Sequence, residues 1–201
     1  IERKQPFAVY RIPGEKIPCL VTQEEGAVRL IYDLQELNGQ RGFVIAPFRP
    51  NETCPILLIQ SNGPGQPLLL ADDADAVPRD IPSTDYPSCS EEYAECFRTF
   101  ISALRDKTFE KLVLSRKLII GKPSAFSPSL AFRAACQRYI HSYIYLCYTP
   151  QTGIWLGSTP EIILSGEKDD WHTVALAGTQ PLQDGKLPQV WDEKNRKEQE
   201  Y

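Results

Sequence analysis

The sequence predicts an α+β fold, and three observations on the 201-residue chain lead to that prediction. Short apolar runs of strand length occur in clusters along the whole chain. Turn residues, not long helices, separate most of these runs, which favours antiparallel pairing. Only a few segments carry apolar residues at helical spacing. We therefore expect antiparallel-rich sheets with flanking helices.

The first portion of the chain, residues 1–80, is predicted to be rich in strands. Apolar runs bounded by turn residues predict strands at Ile17–Thr22, Val28–Tyr32, Gly42–Pro47, Ile56–Gln60 and Leu68–Ala71. The stretch that follows, Asp72–Ser90, is acidic and contains several prolines. We expect it to be an exposed connection to a second portion, residues 81–201.

Two helices are predicted early in the second portion. In Glu91–Lys107, aromatic and aliphatic residues recur every three or four positions, and Ser90 can cap the start. A second helix begins at Ser127-Pro128, with serine as the N-cap and proline in the first turn, and runs to about Tyr139.

The other elements of this portion are strands and one final helix. Strands are predicted at Lys111–Ile120, Ser142–Tyr148, Ile154–Gly157, Glu161–Ser165 and Trp171–Ala177, the last two joined by a hairpin tip at Gly166–Asp170. A charged helix is predicted from Val190 onward.

Composition and charge exclude several classes of function. The hydrophobic content of 42% and charged content of 24% are those of a globular protein, and the net charge of −4 argues against nucleic-acid binding. No apolar stretch reaches the roughly 20 residues that span a bilayer. Six scattered cysteines without a Cys-x-x-Cys pair, together with two histidines, argue against a zinc site. Such thiols fit a reducing cytoplasm better than a disulfide framework.

Lys111 and Glu161 are the two residues that are best suited to acid–base catalysis. Alternation along the predicted strand places Lys111 and Ser115 on one face. Glu161 follows Pro160, which marks a strand start. On pattern alone, a solvated lysine at a strand edge and a surface carboxylate at a turn are the commoner situations. A lysine base and a carboxylic acid facing one pocket are the alternative.

Four motifs in order favour the catalytic interpretation. They are Lys-Leu-Val-Leu-Ser-Arg (111–116), Gly-Ser-Thr-Pro-Glu (157–161), Leu-Ala-Gly-Thr (176–179) and Lys-Asn-Arg-Lys-Glu-Gln (194–199). Together they resemble the chorismate-utilising enzymes, which include the isochorismate, salicylate, anthranilate and aminodeoxychorismate synthases. The resemblance covers about residues 90–201 and implies part of the fold of anthranilate synthase component I.

The resemblance also indicates which reaction to expect. In this family the lysine that matches Lys111 is typical of the water-adding isochorismate and salicylate synthases, whereas ammonia-using members carry glutamine. Ala177 stands where aminodeoxychorismate synthases tend to place a nucleophilic lysine, which argues against a covalent intermediate. The implied activity is isochorismate synthase, an isomerase in which Lys111 activates water for attack on C2 of chorismate and Glu161 protonates the departing C4 hydroxyl.

Further site residues follow from the same resemblance. Ser115, Gly178 and Thr179 are implied to bind substrate, and Glu198 is implied to be one protein ligand of Mg²⁺, which holds the ring carboxylate. Magnesium prefers oxygen ligands and keeps several waters, so a sparse carboxylate shell suits it.

Some positions depart from the family pattern. Thr159 replaces the commoner serine, Asn195 stands where relatives often have an acid, and Gln199 replaces a histidine. Relatives continue beyond the position of Tyr201, with a second metal-binding glutamate and the Arg and Tyr that hold the substrate carboxylates. We therefore expect this chain to have little turnover alone, and to expose apolar surface through which it can self-associate.

Several alternatives remain open at this point. The chain can be part of a salicylate or anthranilate synthase-type enzyme, or a non-catalytic module that resembles a chorismate-binding domain and acts through protein contacts. The motifs do not choose between menaquinone and siderophore biosynthesis as the pathway that an isochorismate synthase would feed.

Overall fold

The computed structural model describes residues 5–23, 26–69, 91–122, 124, 126–186 and 189–200. These residues form a mixed α+β architecture with antiparallel sheets and three α-helices, which confirms the predicted fold class. Two compact units are present. One comprises Ile1–Val77 and Pro128–Tyr201, and the other comprises Pro78–Ser127.

The elements are numbered along the chain. The strands are β1 (Phe7–Arg11), β2 (Cys19–Thr22), β3 (Arg29–Ile31), β4 (Gly42–Ile45), β5 (Ile56–Gln60), β6 (Gln66–Pro67), β7 (Tyr143–Thr149), β8 (Gly153–Thr159), β9 (Ser165–Glu167) and β10 (Asp170–His172). The helices are α1 (Glu91–Arg105), α2 (Pro128–Arg138) and α3 (Glu193–Glu200), and a 3₁₀ turn spans Leu34–Leu37. None of the described helices is long and apolar enough to cross a bilayer.

The larger unit is built around a five-stranded sheet with the order β6-β2-β1-β7-β8. Every neighbouring pair in it is antiparallel. Strand β1 lies at its centre and pairs with β2 on one side and β7 on the other, so that Ala8 is opposite both Val21 and Cys147. This strand is absent from the sequence prediction, although its apolar run Phe-Ala-Val-Tyr (7–10) has strand composition.

Both faces of the five-stranded sheet are covered. On one face, Ala8 and Cys147 pack with Ile59 of β5, which belongs to a three-stranded sheet with the order β3-β5-β4. On the other face, Phe132 of α2 packs against Ile144 and other buried residues of β1 and β7. Strand β5 is buried over four of its five residues, which fits its continuous apolar run.

A buried arginine fixes the end of α2. Arg11 is 3% exposed, and its guanidinium donates hydrogen bonds to the carbonyl oxygens of Tyr139 (2.6 Å), Ile140 (2.9 Å) and Ser142 (3.0 Å). These carbonyls follow the last turn of α2, where helices leave acceptors without an intrahelical donor. Arg11 thus ties the helix end to the last residue of β1.

Most predicted elements are found close to their predicted bounds, and a few predicted strands are not formed. The predicted strand Leu68–Ala71 is wrong for its described part: the pairing residues are Gln66–Pro67, which meet β2. Ser90 and the predicted connection Asp72–Ser90 lie outside the described residues.

Candidate active site

The segment that carries Lys111 and Ser115 is not a strand. Residues 111–122 have no regular secondary structure, so the predicted strand Lys111–Ile120 is wrong. A strand requires a hydrogen-bonded neighbour, and no strand of the described residues pairs with this segment. The predicted alternation of faces is nevertheless present at its start. Lys111, Val113 and Ser115 are exposed, whereas the two leucines between them are half-buried.

The same segment is connected to α1 within its unit. The guanidinium carbon of Arg116 lies 5.6 Å from the centre of the Tyr93 ring, in a cation–π contact. Such contacts contribute about 0.5–1 kcal/mol at exposed positions. The last residue of the Lys-Leu-Val-Leu-Ser-Arg motif is therefore held on the helix.

Glu161 lies just beyond the end of β8, and its side chain is exposed. Its backbone N–H donates a hydrogen bond of 3.2 Å to the Oγ1 atom of Thr159. The predicted strand Glu161–Ser165 is wrong for most of its length, because pairing with the return strand begins only at Ser165. Two hydrogen bonds still connect this stretch to the residues after β10. The backbone N–H of Val174 donates to the carbonyl oxygen of Ile162, and the Thr173 hydroxyl donates to that of Ile163.

The hairpin that follows Glu161 forms as predicted but is shorter. Strands β9 and β10 are antiparallel and meet around a tip at Lys168-Asp169. The return strand Asp170–His172 ends five residues before Ala177, since the residues after it have no strand partner among those described.

Gly178 makes the closest backbone approach among the predicted site residues. Its φ of +69° lies in the left-handed region, which favours glycine. A Cβ atom there would lie 2.9 Å from Oδ1 of Asn195. The backbone at Gly178 thus lies close to the side chain of Asn195 in α3. Gly178 is half-buried, whereas Thr179 is exposed.

Helix α3 brings Glu198 to the same region. Asp192 caps the helix: its Oδ1 accepts from the backbone N–H of Asn195 at 2.7 Å, and its Oδ2 accepts from Asn195 Nδ2 at 3.0 Å. Asn195 and Glu198 are three residues apart, share a face, and are the half-buried residues of the helix. The structure therefore places the Gly178 step beside the helix face that carries Glu198.

The residues present fit a magnesium ion only in part. Glu198 offers a carboxylate, the hard oxygen donor that Mg²⁺ prefers, and such ions are often held by one or two carboxylates with waters and substrate. No group of three or more His, Cys, Asp or Glu residues with metal-binding arrangement occurs among the described residues. Among the described residues, Glu198 is thus one carboxylate that would suit such an ion, without a cluster of further ligands around it.

Sequence reasoning did not identify two residues that shape this region. Tyr145 of β7 lies over Gly157, the first residue of the Gly-Ser-Thr-Pro-Glu motif. Arg11 holds the turn that leads into β7. The contact between Tyr145 and Gly157 can be found only when the pairing of β7 with β8 is known. The hydrogen bond of Arg11 joins residues far apart in the sequence, so no local sequence pattern indicates it.

One of three comparisons with known proteins finds a match, and its range includes the motifs. The family model described as "Chorismate binding enzyme" matches residues 71–201. Neither the curated proteins nor the solved structures include a match to the chain. The matched range covers well over half of the 201 residues and contains all four motifs and all six predicted site residues. The chain therefore belongs to the chorismate-binding enzyme family.

Proposed function

We propose that the full-length gene product is an isochorismate synthase that converts chorismate to isochorismate in the cytoplasm. One observation carries the proposal: this member of the family has a lysine, Lys111, at the position where the resembled water-adding enzymes also have lysine. The proposal extends to a pathway role in menaquinone or siderophore biosynthesis.

The proposed chemistry is an allylic substitution with an acid and a base. Lys111 removes a proton from a water molecule while the water oxygen bonds to C2 of the ring. The two ring double bonds each shift by one position, and the C4–O bond breaks. Glu161 delivers its proton to the departing C4 hydroxyl, which leaves as water. One water is consumed and one released, so the net reaction is an isomerisation.

The chain's other predicted residues have supporting roles in this proposal. Ser115 and the Gly178-Thr179 step contact the substrate. Glu198 supplies an oxygen ligand to Mg²⁺, which when bound neutralises the ring carboxylate. Lys111 and Glu161 are both exposed to solvent, so the bound substrate has to exclude bulk water from them.

The test is the pair of variants Lys111→Gln and Glu161→Gln in the full-length gene product. General acid or base catalysis contributes about 10²–10⁴-fold, so each variant should lose turnover in that range. The matched controls are Lys117→Gln, on the same exposed segment, and Glu167→Gln, on β9. Both controls should keep wild-type turnover. Near-wild-type isochorismate formation by Lys111→Gln or Glu161→Gln would overturn the assignment.

A further inference from the structure

Tyr145 lies directly over the start of the Gly-Ser-Thr-Pro-Glu motif. In the β7–β8 pairing, Tyr145 is opposite Gly157. A methyl group added at Gly157 would overlap the Cε1, Cζ and hydroxyl oxygen atoms of the Tyr145 ring. The ring therefore lies across β8 at Gly157, and a side chain at this position would have to displace it.

The Tyr145 ring is held in place by other aromatic rings. Its centroid lies 6.2 Å from that of Phe43 and 6.3 Å from that of Tyr143. Tyr10 completes the cluster, at 6.0 Å from Phe43 and 5.7 Å from Tyr143. Phe43 belongs to the three-stranded sheet and the three tyrosines to the five-stranded one. The ring thus has support from both sheets.

The backbone path from Gly157 to Glu161 is short and constrained. Strand β8 continues to Thr159, which is opposite Tyr143 in the β7 pairing. Pro160 has a fixed φ, and the N–H of Glu161 donates to Thr159 Oγ1 at 3.2 Å. The place of the Glu161 backbone is therefore set by the last residues of β8.

We infer that Tyr145 is a positioning residue for Glu161: its ring packs on Gly157 and holds the end of β8 from which Glu161 extends. This inference rests on the proposed role of Glu161 as the acid. A misplacement of about 1 Å can lower turnover about 100-fold. A shift of β8 should therefore lower kcat and leave KM nearly unchanged.

The test uses Gly157→Ala and Tyr145→Leu in the full-length gene product, singly and together. Gly157→Ala should lower kcat about 10–100-fold with KM within about threefold of wild type. Leucine lacks the ring atoms that an alanine at 157 would meet, so the double variant should recover at least about fivefold in kcat over Gly157→Ala alone. The control is Gly63→Ala, where a Cβ meets nothing within 4 Å, and it should behave as wild type.

The inference is overturned if Gly157→Ala keeps wild-type kcat, or if the double variant shows the product of the two single losses. If Gly157→Ala does not fold, Tyr145→Leu and Tyr145→Phe decide, because leucine removes the ring that packs on Gly157 and phenylalanine keeps it. Tyr145→Leu should lower kcat at least about tenfold and Tyr145→Phe by less than about threefold. Equal kcat values for the two would overturn the inference.

These outcomes are distinct from failure of the proposed function. The proposed function fails if wild-type protein yields a product other than isochorismate from chorismate. Coupling between Gly157 and Tyr145 is then measured on whichever product forms. Recovery in the double variant supports the positioning role in that case too, and simple multiplication of the losses contradicts it.

Discussion

Arg11 is the buried cation that holds the end of α2, and its replacement by methionine has a cost that follows from the structure. Three of its hydrogen bonds, at 2.6, 2.9 and 3.0 Å, go to carbonyls that follow the helix. Hydrogen bonds to a charged group contribute about 1.5–3 kcal/mol each. Removing the buried charge returns several kcal/mol of desolvation cost. The expected net loss for Arg11→Met is about 2–4 kcal/mol of unfolding free energy.

Urea unfolding, monitored by circular dichroism, measures this loss of free energy, and thermal unfolding measures the accompanying change in Tm. For a chain of this size, about 2–4 kcal/mol corresponds to a fall in Tm of about 4–16 °C. The matched control is Arg138→Met, which removes an exposed arginine from the last turn of α2 and should cost less than about 1 kcal/mol. Arg11→Met with an unfolding free energy within about 0.5 kcal/mol of wild type would refute the argument.

Three further predictions concern α3 and the thiols. Gly178→Ala should lower the unfolding free energy by about 1–2 kcal/mol, because of the left-handed backbone and the contact with Asn195; chemical denaturation measures it, and no change would contradict the close approach. Asp192→Ala should destabilise α3 by about 1 kcal/mol and speed hydrogen exchange at the Asn195 amide, whereas unchanged exchange would argue against the cap. Burial raises the pKa of Cys147 from 9.0 to about 11. Its contribution to stability is therefore present below pH 9 and lost as pH rises toward 11. At about pH 9, near the ordinary thiol pKa, iodoacetamide should label the exposed Cys54 and leave Cys147 unlabelled until urea is added; equal labelling rates would contradict its burial.

The elements that sequence reasoning located correctly are those with strong local signals. The amphipathic spacing and acidic first turn of Glu91–Arg105 determine its helix, and Ser127-Pro128 marks the start of α2. The buried run Ile56–Gln60 is a strand over the predicted residues. In each case the information lies within one helix or one strand, so no tertiary contact is needed to find it.

The errors occur where pairing decides the outcome. Residues 111–120 have strand composition, and residues 111–115 show the predicted alternation, but no described strand pairs with them. Strand β1 has a short apolar run, and its central place depends on β2 and β7. Local propensity does not show which segments meet, so both outcomes lie beyond what the residues alone can predict.

The site shows the same division. The resemblance implies that Gly178 binds substrate, which stays a prediction, and the structure shows that the Asn195 side chain lies beside its backbone. The position of Glu198 on the same helix face follows from helical spacing. The contact of Tyr145 with Gly157 could not be predicted, because neither segment alone determines the pairing register of β7 and β8. The roles of Lys111 and Glu161 stay a proposal.

The origin of the oxygen in the product tests the central claim most directly. The full-length gene product is incubated with chorismate and Mg²⁺ in ¹⁸O-labelled water, and the products are separated by chromatography and analysed by mass spectrometry. We predict isochorismate with one ¹⁸O atom, located at C2, and no nitrogen-containing product when ammonia is added. Anthranilate formation with ammonia, isochorismate without the label, or no conversion of chorismate would contradict the proposed water transfer by Lys111 and Glu161.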